Sequence, residues 1–227
     1  MLRPTRTHTM LSRALFTGFV AVATGAAVTA PDPVSPATWE ATFNTDLPAD
    51  PVTGAPADPI VIKVTRSLAP LGSDRFFALV KAGFYNNSAF FRVVPSFVIQ
   101  FGISGDAALN KEWLNNPIKD DAVVGSNTAG TVSFADAGPN TRSSQVFINL
   151  GDNSRLDKMG FSVFGEVTQC CDELNTITNP TPGNSGGVDQ GEYEQKGNDW
   201  IRKTYPGINF ITTAVVSSEA ESPLAQQ

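Results

Sequence analysis

Histidine is nearly missing from this 227-residue chain: its one copy is His8, close to the amino terminus. From residue 9 onward there is no imidazole to run a Ser-His-Asp or Cys-His mechanism, or to complete the usual His-containing zinc site. Cysteine is almost as scarce, because Cys170 and Cys171 stand side by side and have no other partner. Pairing adjacent cysteines strains the peptide between them, so the sequence is no disulfide scaffold and the two are expected to pack at a helix start. The H-E-x-x-H and EF-hand patterns are absent, and the run Gly183-Asn184-Ser185-Gly186-Gly187 lacks the strand-before, helix-after context of a functional loop and is followed by no lysine as a phosphate-binding loop requires. Asp120-Asp121 reads as a solvated acidic turn rather than a metal site, so no metal or cofactor is expected. Basic charge is also short: 16 Lys and Arg against 22 Asp and Glu give a formal charge of −6 and a pI near 4.7. The cations are scattered, which argues against a nucleic-acid partner.

What is present begins with a segment of different character. Residues 1–13 carry Arg3, Arg6 and Arg13 and no acid, and 14–30 form an apolar, small-residue run that is short for a membrane span. Residues 1–30 are expected to be a targeting peptide. A secretory signal leading to the ER lumen or the exterior is the first reading, a mitochondrial or plastid presequence the second, and an uncleaved anchor the third. Cleavage near Ala30 removes three arginines and no acid, moving the charge from −6 to −9, and leaves no stable membrane insertion. A Pro-rich spacer at 31–36 is expected to be extended and poorly packed. One domain over 37–217, a monomer, is the economical reading of this length, with a flexible tail at 218–227. Asn86-Asn87-Ser88 is a glycosylation sequon in a eukaryotic secretory route.

Within the domain, strand patterns fall at 38–44, 59–65, 89–94, 97–101, 130–135, 145–149, 161–167 and 209–216. A Pro-rich surface insertion, 46–58, separates the first two. Ser73 is the expected cap of a helix whose apolar stripe is Phe76, Leu79 and Val80 and whose end is marked by Lys81 and Gly83. Further helices are expected over 171–178 and 198–205, with the Gly-rich and then polar stretch 179–199 a flexible connection. Many strands and few helices fit a closed barrel or a sandwich, and pattern alone does not choose.

Three stretches carry the chemistry. The first, AFFRVVPSFVIQFGI at 89–103, reads as two short strands broken at Pro95-Ser96, with Phe90, Arg92 and Val94 on one face and Val98 and Gln100 sharing another. An arginine among apolar neighbours must snorkel, pair or meet a ligand. The others are GTVSFADAGPNTRSSQVFINL at 130–150 and LDKMGFSVFGEV at 156–167. Together and in this order they closely resemble the cyclophilin family of peptidyl-prolyl cis-trans isomerases, over roughly residues 39–216.

The resemblance implies a mainly β fold, an eight-stranded closed antiparallel β-barrel capped by two or three helices, with a groove on its outer face. It implies cofactor-free rotation of X-Pro bonds in proline-containing polypeptides during folding. It assigns Arg92 to the prolyl nitrogen and gives Gln100 the task of orienting Arg92 and the substrate carbonyl. Phe97, Val98, Phe147 and Leu156 resemble the proline pocket, and Ala135, Asp136 and Gln145 the contacts to the flanking peptide. Taken singly, each apolar member reads as ordinary core. The chain departs from the family at Asp136, where Asn is commoner, and at Val98, where Met is. It has Arg155 in place of a frequent Trp, and Lys158-Met159-Gly160-Phe161 lengthens a loop so that Phe161 stands roughly where a His is common. These departures bear on substrate preference and on binding of cyclosporin-like macrocycles. The alternative function is a proline-segment binding or chaperone module with weak or no turnover.

Overall fold

The computed structural model describes residues 31–169 and 173–219. The targeting peptide, the Cys170-Cys171 pair and the end of the expected tail, 220–227, lie outside the described residues. Among the described residues nine strands and three α-helices build the domain: β1 Thr38–Thr45, β2 Ile60–Thr65, α1 Pro70–Lys81, β3 Ser88–Ala89, β4 Arg92–Val94, β5 Val98–Phe101, α2 Ala107–Leu114, β6 Thr131–Phe134, β7 Val146–Asn149, β8 Val163–Gln169, α3 Gln190–Thr204 and β9 Phe210–Glu219. Among the described residues no helix is long and apolar enough to cross a membrane.

The strands follow the two-residue period of their side chains. Trp39, Ala41 and Phe43 of β1 and Ile60, Ile62 and Val64 of β2 are buried, and antiparallel pairing opposes Trp39 to Val64 and Phe43 to Ile60. All strands join one curled antiparallel sheet in the order β3-β9-β1-β2-β8-β6-β7-β5-β4. The count is nine and not the expected eight, because the 89–94 strand is divided. Phe90 and Phe91 are consecutive yet both fully buried, Phe90 in the main core and Phe91 in a second cluster with Val188, Tyr193 and Ile201. A pleated strand sends neighbours to opposite faces and so accounts for that pair, but it cannot also put Phe90 and Val93, three residues apart, in one core, so the ladder is interrupted between them. β3 before the break pairs with β9, and β4 after it pairs with β5. The two ends of the sheet are thus carried by one continuous stretch of backbone, not by a ladder between β3 and β4. Phe90 therefore shares the core with Val93, not the outer face with Arg92 as its spacing suggested.

Helix α1 lies against the sheet through Phe76, Leu79 and Val80, and an aromatic cluster of Trp39, Phe43, Phe76, Tyr85, Phe101 and Phe164 fills the space between. The helix starts at Pro70 and not at Ser73. Its first free N–H groups, on Leu71 and Gly72, donate to the Asp121 carboxylate at 3.0 and 2.8 Å. Asp121 also pairs with the buried Arg142 at 3.1 Å, Asp120 lies 3.3 Å from the same guanidinium, and Lys119 O accepts from it. The Asp120-Asp121 pair is therefore a structural staple rather than a solvated turn: a distant carboxylate caps the helix because no side chain at position 69 can.

Ser73 and Asp74, freed from capping, are buried inside α1 and hold the 31–36 segment. Ser35 donates its N–H to Asp74 at 2.8 Å and its hydroxyl is 2.8 Å from that of Ser73, while Asp32 pairs with Arg75 at 2.8 Å. The spacer is thus anchored at Asp32 and Ser35, while Pro31, Pro33 and Val34 stay exposed as its composition suggested. Two other expectations change. Residues 218 and 219 belong to β9 and not to a tail, and the stretch read as a flexible connection holds most of α3, whose hydrophobic stripe is too sparse to announce a helix. The 46–58 insertion is mostly exposed, as expected.

Burial alone would raise the pKa of Asp74, but hydrogen bonds from Arg66 and then Ser35 outweigh it and hold the carboxyl below the ordinary aspartate value. That contribution to stability is in place above the ordinary value and is lost as pH falls through the lower value of the folded state. Asp74→Asn is expected to flatten the acid limb of stability against pH, followed by urea unfolding from about pH 5 to pH 2. Asp121→Ala removes a helix cap and strands Arg142, and is expected to cost about 3 kcal/mol in urea denaturation at neutral pH.

Candidate active site

The β4–β5 hairpin sets the site. Its register opposes Arg92 to Gln100 and Val94 to Val98, and the β5–β7 pairing then places Gln100 opposite Phe147. Alternation sends Ile99, Phe101, Val146 and Ile148 into the main core and Val98, Gln100 and Phe147 to the outer face. There a separate apolar cluster forms from Val98, Phe147 and Leu156, with Phe97, Ala135 and Phe161 packed on it. The Phe147 and Phe161 rings meet edge to face at 5.7 Å.

Leu156 sits on a 3-10 turn, Ser154–Met159, and Phe161 follows two residues past its end, both fixed by amide side chains sequence reasoning passed over. Asn153 donates to Phe97 O and to Asn149 Oδ1, both at 2.8 Å. Asn127, fully buried, donates to Phe161 O and to Asp157, both at 2.8 Å, and accepts from Ser133. The clue was present in the run of Asn149, Asp152 and Asn153 at the end of a buried strand, where polar groups must find partners.

Arg92 donates from Nη1 to Gln100 Oε1 at 3.0 Å and from Nε to Ser185 O at 2.6 Å. Its guanidinium carbon lies 5.5 Å from the Phe97 ring centre, with Arg155 over the same ring at 4.8 Å. Among the described residues Arg92 joins no ion pair. Burial pushes its pKa down from the ordinary arginine value, but an arginine stays protonated in proteins. Gln100 passes its own Nε2 hydrogen to Gln145 Oε1 at 2.8 Å. Asp136 accepts from the Gly138 N–H at 3.0 Å, so its carboxylate is turned to its own loop. Gly187 closes over the arginine: its φ is +81°, and a Cβ there would stand 2.7 Å from Arg92 Cβ and 2.8 Å from Phe91 O.

Arg92, Gln100, Phe97, Val98, Ala135, Asp136, Gln145, Phe147, Leu156 and Phe161, the ten residues singled out from the sequence, all line one cleft of about 530 Å³. The structure adds Leu114 from α2, and Gly186, Gln190 and Glu194 from the segment read as a flexible connection. The arrangement offers an apolar slot and a cation with free donors at its rim, and among the described residues no imidazole or thiol stands beside the Thr141 and Ser143 hydroxyls that also line it. Among the described residues no cluster of three or more His, Cys, Asp or Glu is placed to hold a metal ion.

The family described as Cyclophilin type peptidyl-prolyl cis-trans isomerase/CLD matches residues 52–204. A peptidyl-prolyl cis-trans isomerase of Acinetobacter baylyi is 36% identical over 126 residues, covering 53% of this chain and 66% of that one. Isomerase A of Dickeya dadantii is 35% identical over 125 residues, 52% of this chain and 65% of its own. The match thus spans just under two thirds of these two relatives. Isomerase B of Escherichia coli is 35% identical over 136 residues, 56% of this chain and 82% of its own. In fold, a crystal structure of a Cryptosporidium parvum cyclophilin type peptidyl-prolyl cis-trans isomerase superposes with a TM-score of 0.57 at 20% identity, over 81% of this chain and 99% of that one. A match over two thirds of the sequence, on a curled antiparallel sheet with an outer-face cleft, makes this chain a member of the cyclophilin type peptidyl-prolyl cis-trans isomerase family.

Proposed function

We propose that the chain accelerates cis-trans rotation of X-Pro bonds in flexible polypeptides, without a cofactor, and so assists folding. One observation carries the reading: Arg92 is held at the rim of an apolar slot by two neutral acceptors, and no carboxylate among the described residues neutralises it.

Rotation breaks amide resonance, which sets a barrier of roughly 18–20 kcal/mol and an uncatalysed exchange of tens to hundreds of seconds. In the twisted amide the prolyl nitrogen regains a lone pair that the planar form lacks. A guanidinium donor aimed at that nitrogen binds the transition state better than either ground state, which is the condition for catalysis. Arg92 has five N–H donors and uses two of them on Gln100 and Ser185, so donors remain for this task. One charge-assisted hydrogen bond is worth about 1.5–3 kcal/mol, or roughly one to two powers of ten in rate. The remainder must come from placement, with the slot of Val98, Phe147 and Leu156 holding the ring and Gln100 and Gln145 fixing the flanking carbonyl.

Cyclosporin-like macrocycles are proposed as weak ligands only, because Arg155 covers the Phe97 side of the slot. Composition supports a targeting role for residues 1–30, and we propose delivery to a secretory compartment, with a mitochondrion or plastid as the alternative. Edman sequencing of the native protein is expected to start near residue 31.

Arg92→Ala is expected to lower kcat/KM for an X-Pro peptide by about 10- to 100-fold in a protease-coupled assay, with KM little changed, and Arg92→Lys is not expected to restore it. Unchanged turnover would remove the mechanism. Suppression of aggregation that survives the loss of turnover would make proline-segment binding the larger role.

A further inference from the structure

The cleft has a member that neither its apolar slot nor its arginine explains. Glu194 is half-buried in the wall formed by α3, and its Oε1 accepts from Gln145 Nε2 at 3.3 Å. Gln145 Oε1 accepts from Gln100 Nε2 at 2.8 Å, and Gln100 Oε1 accepts from Arg92 Nη1 at 3.0 Å. The direction of this chain is set by chemistry. A guanidinium only donates, so Gln100 must turn its oxygen to Arg92 and its amide hydrogens to Gln145. Gln145 must then answer with its oxygen, which leaves its own hydrogens pointing at position 194. An acceptor there completes the series; without one, Gln145 is tethered at one end only.

With Arg92 read as the catalytic group, as proposed above, we infer that Glu194 is a positioning residue: its carboxylate ends a one-way hydrogen-bond relay that holds Gln145 and Gln100 in the amide orientation Arg92 requires. The platform beneath it is suited to that task. Tyr193, next in the chain, is fully buried, and its hydroxyl accepts from the Ala89 N–H at 3.0 Å. The Glu194 carbonyl accepts from Asn110 of α2 at 3.3 Å, and Val188 donates its N–H to Phe91 O at 3.1 Å. Tyr193, Val188, Ile201 and Phe91 form the second core cluster, so α3 is seated on its own apolar base. The other end of the relay is held by the same segment, since Ser185 O takes the Arg92 Nε hydrogen at 2.6 Å. Burial raises the Glu194 pKa and the Gln145 hydrogen bond opposes part of the rise, so the carboxylate sits in the wall at a cost that bond offsets in part. A half-buried acid held against the end of a directed amide chain is placed to orient it.

Glu194→Ala and Glu194→Gln in the full chain separate this role from others. The alanine variant is expected to lose about 3- to 10-fold in kcat for an X-Pro peptide with KM within about twofold, as loss of one neutral-strength hydrogen bond implies. The glutamine variant keeps an acceptor oxygen and is expected to recover most of that loss. Side-chain amide NMR signals of Gln100, which Glu194 does not touch, are expected to shift in the alanine variant and return in the glutamine variant. Gln100 signals that stay put in the alanine variant overturn the inference. So does a glutamine variant as impaired as the alanine one, which would mean that the charge acts on substrate directly. If the wild-type chain turns over no peptide while the Gln100 signals respond as expected, the positioning role stands and the isomerase reading fails.

Discussion

Two neighbouring phenylalanines govern the geometry of this protein. Phe90 and Phe91 are both withdrawn from water, one into the space under α1 and the other into the space under α3. A regular strand accommodates that pair, but it cannot also return Val93 to the core that holds Phe90, because residues three apart face opposite sides. The backbone therefore leaves the ladder for two residues, and when it resumes at Arg92 the outward and inward positions are set afresh. Had the alternation run through unbroken from an inward Phe90, Arg92 would have faced the core, where an unpaired cation costs several kcal/mol. The break turns the guanidinium to the outer face, opposite Gln100 and beside the slot.

That outer face is a second interior. β5 and β7 each carry core residues at one parity and slot residues at the other, so the same two strands wall the main core and floor the cleft. A slip of one residue in their pairing would exchange the two sets entirely, which ties the register of the sheet to the chemistry of its surface. The loops above the floor have few apolar residues to fix them and rely instead on buried amides. Asn127, Asn149 and Asn153 each bond more than one loop or strand, so Leu156 and Phe161 are held by polar contacts while presenting apolar surfaces.

Legibility in the sequence followed the range of the interactions. The strands and all ten cleft residues were visible because alternation and short motifs are local, and the motifs resemble one family. Interactions that join distant parts of the chain left little trace. Nothing near Pro70 signals that Asp121 will cap its helix, and nothing in a Pro-rich stretch signals that Ser35 will satisfy Asp74. Helix α3 was missed because its buried residues are few, Tyr193 and Ile201 among them, and Gly197 bends it at a φ of +63°. Glu194 was hidden with it. The break at Phe90-Phe91 has no local signature, because recognising it requires knowing that Phe90 and Val93, three residues apart, enter one core.

The close approach of residue 187 to Arg92 has a meaning for how such a protein changes over generations. A hydrogen atom is all that separates that backbone from the arginine stem and the carbonyl of Phe91. A methyl group in its place meets the arginine stem and the Phe91 carbonyl, so the stem must move aside and take its charged head with it, while no residue of the apolar slot is replaced. One codon therefore separates a guanidinium set at the rim of the cleft from one displaced from it, and that codon lies outside the apolar slot itself.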